Sequence, residues 1–159
     1  MMKRWLILIL SFCLAITVTA CGSNAYTAPP GFRVICGDEE VRPYIGTYSW
    51  FYTKSFGRGT GIDVCGIHPL DRDPYFVHLT TTETTATLQF FEDPVNFSIS
   101  CWSDEYLGNP GGALEENVVL NGYTFELKPG GYIYEVSARW DGGKEYGGDA
   151  SYNFYIERE

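Results

Sequence analysis

From Phe32 to Glu157 the chain carries ten short runs rich in β-branched and aromatic residues, and nowhere in that span does a 3.6-residue apolar period persist. Without that period no helix can present a continuous apolar face, so a helical core is excluded and sheets must bury the apolar residues. The runs fall at 32–36, 42–53, 61–65, 75–80, 86–92, 95–102, 118–120, 123–127, 132–140 and 151–157. Between them lies turn chemistry: Cys36-Gly37-Asp38, Gly57-Arg58-Gly59, Asp93-Pro94, Asn109-Pro110-Gly111-Gly112, Asn121-Gly122, Pro129-Gly130-Gly131 and Asp141-Gly142-Gly143. Asn121-Gly122 is the strongest hairpin signal, since a type I′ turn needs positive φ at both central residues. Glu115-Glu116 ahead of Asn117 is expected to close one helical turn. Short strands at this spacing predict an all-β protein, a single antiparallel β-sandwich over residues 32–159.

The stretch from Pro129 to Trp140 is the most informative. Tyr132, Tyr134, Val136, Ala138 and Trp140 alternate onto one face and Glu135, Ser137 and Arg139 onto the other, with Ile133 breaking the pattern. A glycine-led strand beginning Tyr-x-Tyr-x-Val resembles the tyrosine-corner strand of immunoglobulin-like domains, which implies an immunoglobulin-like sandwich. Trp50 and Trp140 are expected in its core. Gly46-Thr47-Tyr48-Ser49-Trp50, His68-Pro69-Leu70-Asp71, Cys101-Trp102-Ser103-Asp104-Glu105-Tyr106 and Gly131-Tyr132-Ile133-Tyr134-Glu135-Val136, in that order, resemble a small extracytoplasmic β-domain of Gram-positive bacteria. It is similar to uncharacterised lipoproteins and to extracellular segments of β-lactam-sensor-type membrane metallopeptidases. The chain has no His-Glu-x-x-His peptidase motif, so the resemblance implies an accessory or sensing module.

At the other end of the chain, Lys3 and Arg4 precede an almost wholly apolar run from Trp5 to Thr19, which leads into Val18-Thr19-Ala20-Cys21. Charge, apolar run and small residues describe a secretory signal, and the cysteine after them resembles the lipobox of bacterial lipoproteins. The resemblance implies a signal peptide over residues 1–20 and a lipidated Cys21 as the first mature residue, held at the extracytoplasmic face of the cell membrane. The alternative is an uncleaved transmembrane anchor, for which the run is short, since a spanning helix takes about 20 residues. Residues 22–31 show no apolar period and end in Pro29-Pro30-Gly31, as expected of a tether. At roughly 3.3 Å per residue it reaches at most about 35 Å.

Removing Lys3 and Arg4 with the signal takes the formal charge from −9 to −11. A domain this acidic repels phosphate backbones, so nucleic acid is excluded as a partner. Attachment to the membrane then rests on acyl chains, at roughly 0.8 kcal/mol per buried CH₂. Of the cysteines Cys36, Cys65 and Cys101 that remain, Cys101 falls on the inward side of the alternating run 95–101. Cys36 and Cys65 each precede a glycine at a strand end, and a disulfide between them is expected; three reduced thiols are the alternative.

Three constellations bear on chemistry. Asp63, His68, Asp71 and Asp73 form the densest set of potential ligands and are a weak candidate for a divalent cation, since zinc sites pair their ligands and this loop has one histidine. Trp102, Asp104 and Tyr106 set aromatic faces beside carboxylates, a candidate surface for a cell-wall glycan. Alternation turns Trp102 outward, although the loop 107–112 is placed to cover it. Adjacent acids such as Asp104-Glu105 or Glu115-Glu116 point to opposite faces of a strand and do not make a glycosidase pair. Neither histidine has a nucleophile motif beside it, and Phe56-Gly57-Arg58-Gly59-Thr60-Gly61 has no following helix to cradle a phosphate. The expectation is a non-enzymatic envelope interaction or accessory module with no cofactor, facing an envelope protein. The alternative is a module binding a cell-wall glycan or a cation.

Overall fold

Alternation along the tyrosine-led strand sets the architecture. In the computed structural model, which describes residues 26–54, 57–71, 77–143 and 145–159, Tyr134, Val136, Ala138 and Trp140 all point into one core. Among the described residues twelve strands build it: β1 Phe32–Cys36, β2 Glu39–Val41, β3 Tyr44–Lys54, β4 Arg58–Val64, β5 His78–Thr81, β6 Thr85–Phe90, β7 Asn96–Ser103, β8 Glu116–Asn117, β9 Leu120–Asn121, β10 Thr124–Glu126, β11 Gly130–Asp141 and β12 Tyr146–Arg158. A five-stranded sheet in the order β2-β1-β6-β10-β9 packs on a seven-stranded sheet in the order β4-β3-β12-β11-β7-β8, which β5 joins through β12. Pairing is antiparallel except between β5 and β12. The protein is an all-β sandwich, as the strand spacing predicts.

Its strand order is its own. In the three-stranded sheet of an immunoglobulin domain the third strand lies beside the penultimate one; here β3 pairs with β12, the last. That strand is the axis of the larger sheet. It pairs with β11 along its whole length, with β3 from Tyr146 to Asn153, and with β5 from Tyr155 to Arg158 on the edge that β3 vacates.

Between the sheets lie Phe32, Val34, Leu88 and Phe125 from one side and Trp50, Ile99, Tyr134, Val136, Trp140, Tyr152, Phe154 and Ile156 from the other. Trp50 and Trp140 meet edge to face at 5.9 Å, and Tyr134 stacks on Phe154 at 5.4 Å, geometries that add to the roughly 1.5–3 kcal/mol of burying each large side chain. A backbone hydrogen bond from Lys128 reaches the Tyr134 hydroxyl.

Four expectations change. Glu115-Glu116 does not make a helical turn: Glu116 and Asn117 pair with Cys101 and Ser100 as β8, because one helical turn fixes several dihedrals for a single hydrogen bond while the edge of β7 has backbone groups to satisfy. The Asn121-Gly122 hairpin forms one residue later, with Asn121 opposite Thr124 and the positive φ of 63° at Gly122. The Cys36–Cys65 bridge is absent and both cysteines are free. Cys36 is buried at the end of β1 in the smaller sheet while Cys65 is exposed beyond β4, the edge of the larger one; two glycine-flanked strand ends belong to different layers. Finally, the second half of the expected tether is part of the domain. Pro29 and Pro30 are buried, the Tyr152 hydroxyl donates to the Pro30 carbonyl at 2.6 Å, and Trp50 Nε1 donates to the Tyr26 carbonyl at 2.8 Å. Among the described residues, no helix is long and apolar enough to cross a membrane.

Candidate functional site

Residues that alternate away from the core on β7, β11, β12, β3 and β4 form rows across the outer face of the larger sheet. One row runs Ser98, Ser137, Ser151 across β7, β11 and β12. The next runs Asn96, Arg139, Asp149, Ser49, Asp63 across five strands. Small polar side chains leave this face hollow, and a trough of about 760 Å³ lies over it, lined also by Thr47 and Cys65. Arg139 and Asp149 form a loose, exposed pair at 3.8 Å, so the trough holds both charges, and its hydroxyls stand among apolar surface from Val64, Phe97, Ala138 and Ala150.

At the distal end of the trough the face becomes buried. Glu135 lies across from Ser100 and Asn153 and is hydrogen-bonded to Ser151, whose Oγ also accepts the Thr47 amide at 3.1 Å. Burial pushes the Glu135 carboxyl above its ordinary range; the Ser151 hydrogen bond and the nearby His68 pull the other way and Glu115 adds to the rise. Asn153 is 4 % exposed and its Nδ2 has no hydrogen-bond partner among the described residues. A Cβ at Gly46 would stand 2.7 Å from Ser151 Oγ and 3.2 Å from Asn153 Nδ2, so the unpaired amide lies at most about 6 Å from the hydroxyl that lines the trough. Buried amides are nearly always paired, and an exception points to a ligand or an ordered water.

The loop after β4 walls this end. Gly66 passes so close to β3 that a Cβ there would meet the Gly46 carbonyl carbon at 2.8 Å, and the Gly66 amide donates to Thr47 Oγ1 at 3.0 Å. Leu70 then drops into a small second core with Trp102, Ile133 and Tyr155, against which Tyr106, Leu107 and Ala113 pack. This explains why Ile133 breaks the alternation of its strand: its outward side is covered too.

The candidate surface of Trp102, Asp104 and Tyr106 is therefore corrected. Trp102 does point off the sheet, but it is 4 % exposed, with His68 edge to face at 5.4 Å and the following loop folded over it. Asp104 accepts the Tyr155 hydroxyl at 3.0 Å, and Tyr106 is half-buried, so the three make a structural knot with no open aromatic face for a sugar. Asp63, His68 and Asp71 are not gathered either. Asp63 borders the trough, while His68 accepts the Leu70 amide on Nδ1 at 3.2 Å and Asp71 donates its amide to the His68 carbonyl. Among the described residues no three His, Cys, Asp or Glu side chains are grouped to hold a metal; Asp73 and Cys21 lie outside the described residues. Glu135 and Asn153 were missed as site residues. Alternation placed Glu135 outward, but only the register of β11 on β12 sets it beside Asn153. No protein-family model matches the chain, and neither a curated protein nor a solved structure is found to be similar to it.

Proposed function

We propose that the chain is a lipid-anchored protein of the bacterial cell envelope, exposed on the extracytoplasmic face of the membrane, whose sandwich is a non-enzymatic interaction or accessory module. One observation carries the reading: Val18-Thr19-Ala20-Cys21 follows a charged and apolar leader and ends only five residues ahead of Tyr26, which is already tied to the core by Trp50. Signal, acyl site and folded module thus follow one another with almost no spare chain. Mass spectrometry of the full chain from bacterial membranes tests it. The expected product begins at Cys21 and carries a diacylglycerol, and Cys21→Ser leaves an unmodified precursor. An uncleaved wild-type chain would establish the transmembrane anchor instead.

The trough supports a second reading, a module for a small hydroxyl-rich ligand such as a cell-wall sugar, because hydroxyl rows and an unpaired amide suit a neutral hydrogen-bonding partner. A ligand at about 100 times its dissociation constant stabilises the fold by about 2.7 kcal/mol. Thermal shifts of the full chain with muropeptides are therefore expected to be several degrees and to vanish in Ser137→Trp, which fills the trough; a shift that survives this change places the ligand elsewhere.

A further inference from the structure

The two ends of the sandwich differ. At the end that holds Tyr26, this residue meets Tyr146 edge to face at 5.2 Å beside Trp50, and residues 91–95, 141–143 and 145–146 and the paired ends of β3 and β4 converge: Trp140 Nε1 donates to the Glu92 carbonyl at 2.9 Å and the Thr53 amide to the Glu145 carbonyl at 2.7 Å. Phe51 (42 % exposed), Phe91 (49 %) and Val95 (61 %) stand open around it, and Lys54 and Arg58 face each other across the hairpin with no ion pair found for either among the described residues. Three of the acids here are hydrogen-bonded within the protein, Glu92 accepting the Tyr146 hydroxyl, Asp93 the Tyr123 hydroxyl and Asp141 the Gly143 amide, while Glu145 is exposed. At the opposite end stand Asp38, Glu39, Glu83, Glu126, Glu157 and Glu159.

We infer that the Tyr26 end rests on the phospholipid bilayer, with Phe51, Phe91 and Val95 at headgroup depth, Lys54 and Arg58 against the lipid phosphates, and the acidic end turned away. The inference rests on the lipid anchor proposed above. Five residues from Cys21 to Tyr26 span at most about 17 Å, so an acylated cysteine in the membrane holds this end against it. Aromatic side chains and cations then meet the interfacial layer they favour, and the acidic end escapes the repulsion of anionic headgroups. The trough, on the side of the larger sheet, stays open to the space along the membrane.

Brominated-lipid quenching of the full lipidated chain in phosphatidylglycerol vesicles tests this, with Phe91→Trp and Phe51→Trp reporting on one end and Glu126→Trp on the other. The expected result is a loss of the added emission at positions 91 and 51 and none at 126, above the shared background of the native tryptophans. Equal quenching at both ends, or quenching at 126 alone, in protein that stays on the vesicles overturns the orientation while leaving the anchor intact. Absence of lipid on Cys21 by mass overturns both.

Discussion

Single residues already separate Cys36, Cys65 and Cys101 by reactivity. Cys36 is 1 % exposed, and burial, with Glu39 and Glu83 adding to it, pushes its thiol from 9.0 up to about 11; Cys101 is also buried and raised, whereas Cys65 is open. Thiol labelling of the native chain at pH 8 is therefore expected to tag Cys65 and spare Cys36 and Cys101, read by peptide mass; a Cys36–Cys65 bridge would leave Cys65 unlabelled. Because the folded state holds the Cys36 proton more tightly than the unfolded chain does, stability falls as pH rises from about 9 to about 11, by roughly 2–3 kcal/mol at 1.36 kcal/mol per unit. Urea midpoints measured across that window should show the fall, and Cys36→Ala should reduce it, leaving the part that Cys101 and the buried tyrosines contribute. Gly148 is the residue with least room. Its φ is 143° and a Cβ would stand 2.0 Å from the Ser49 carbonyl oxygen, so Gly148→Ala is expected to cost at least about 2 kcal/mol in denaturant unfolding.

Among the elements, the loops 65–71 and 104–113 decide what the outer face can do. They cover Trp102, Ile133 and Tyr155 and end the trough beside Glu135. Trp102→Ala is expected to destabilise by about 3–5 kcal/mol, the cost of emptying a buried aromatic site, and Tyr155→Phe by about 1 kcal/mol for its hydrogen bond to Asp104; paired calorimetric midpoints measure both. A near-neutral Trp102→Ala would mean that the loops do not hold the tryptophan. The sequence pattern made β11 legible down to its faces, and it even flagged Ile133 as an exception. The cause of the exception was not legible, because Leu70 and Trp102 come from chain segments about thirty residues apart in sequence and meet only once both cross the same sheet.

Taken whole, the molecule is an acidic body that gathers Asp38, Glu39, Glu83, Glu126, Glu157 and Glu159 at one end. The exposed carboxylates of that end repel one another across less than a Debye length at low salt, about 30 Å at 0.01 M against about 8 Å at 0.15 M. The unfolding midpoint is accordingly expected to rise between those two ionic strengths. Substituting Glu39 and Glu83 by glutamine should shrink the rise; a rise unchanged in that double variant would place the repulsion elsewhere.

Local patterning by itself determined the all-β class, most strand positions, the core assignment of Trp50 and Trp140, and the outward set Glu135, Ser137 and Arg139. These follow from periods of two and from turn residues, which act within a few positions of the chain. Tertiary structure alone decided which strands became neighbours: β3 beside β12, Asn153 beside Glu135, Cys36 in a different layer from Cys65, and Trp102 beneath its own loop. Register between distant strands is set by the joint fit of two buried faces, and no single run of residues contains that information.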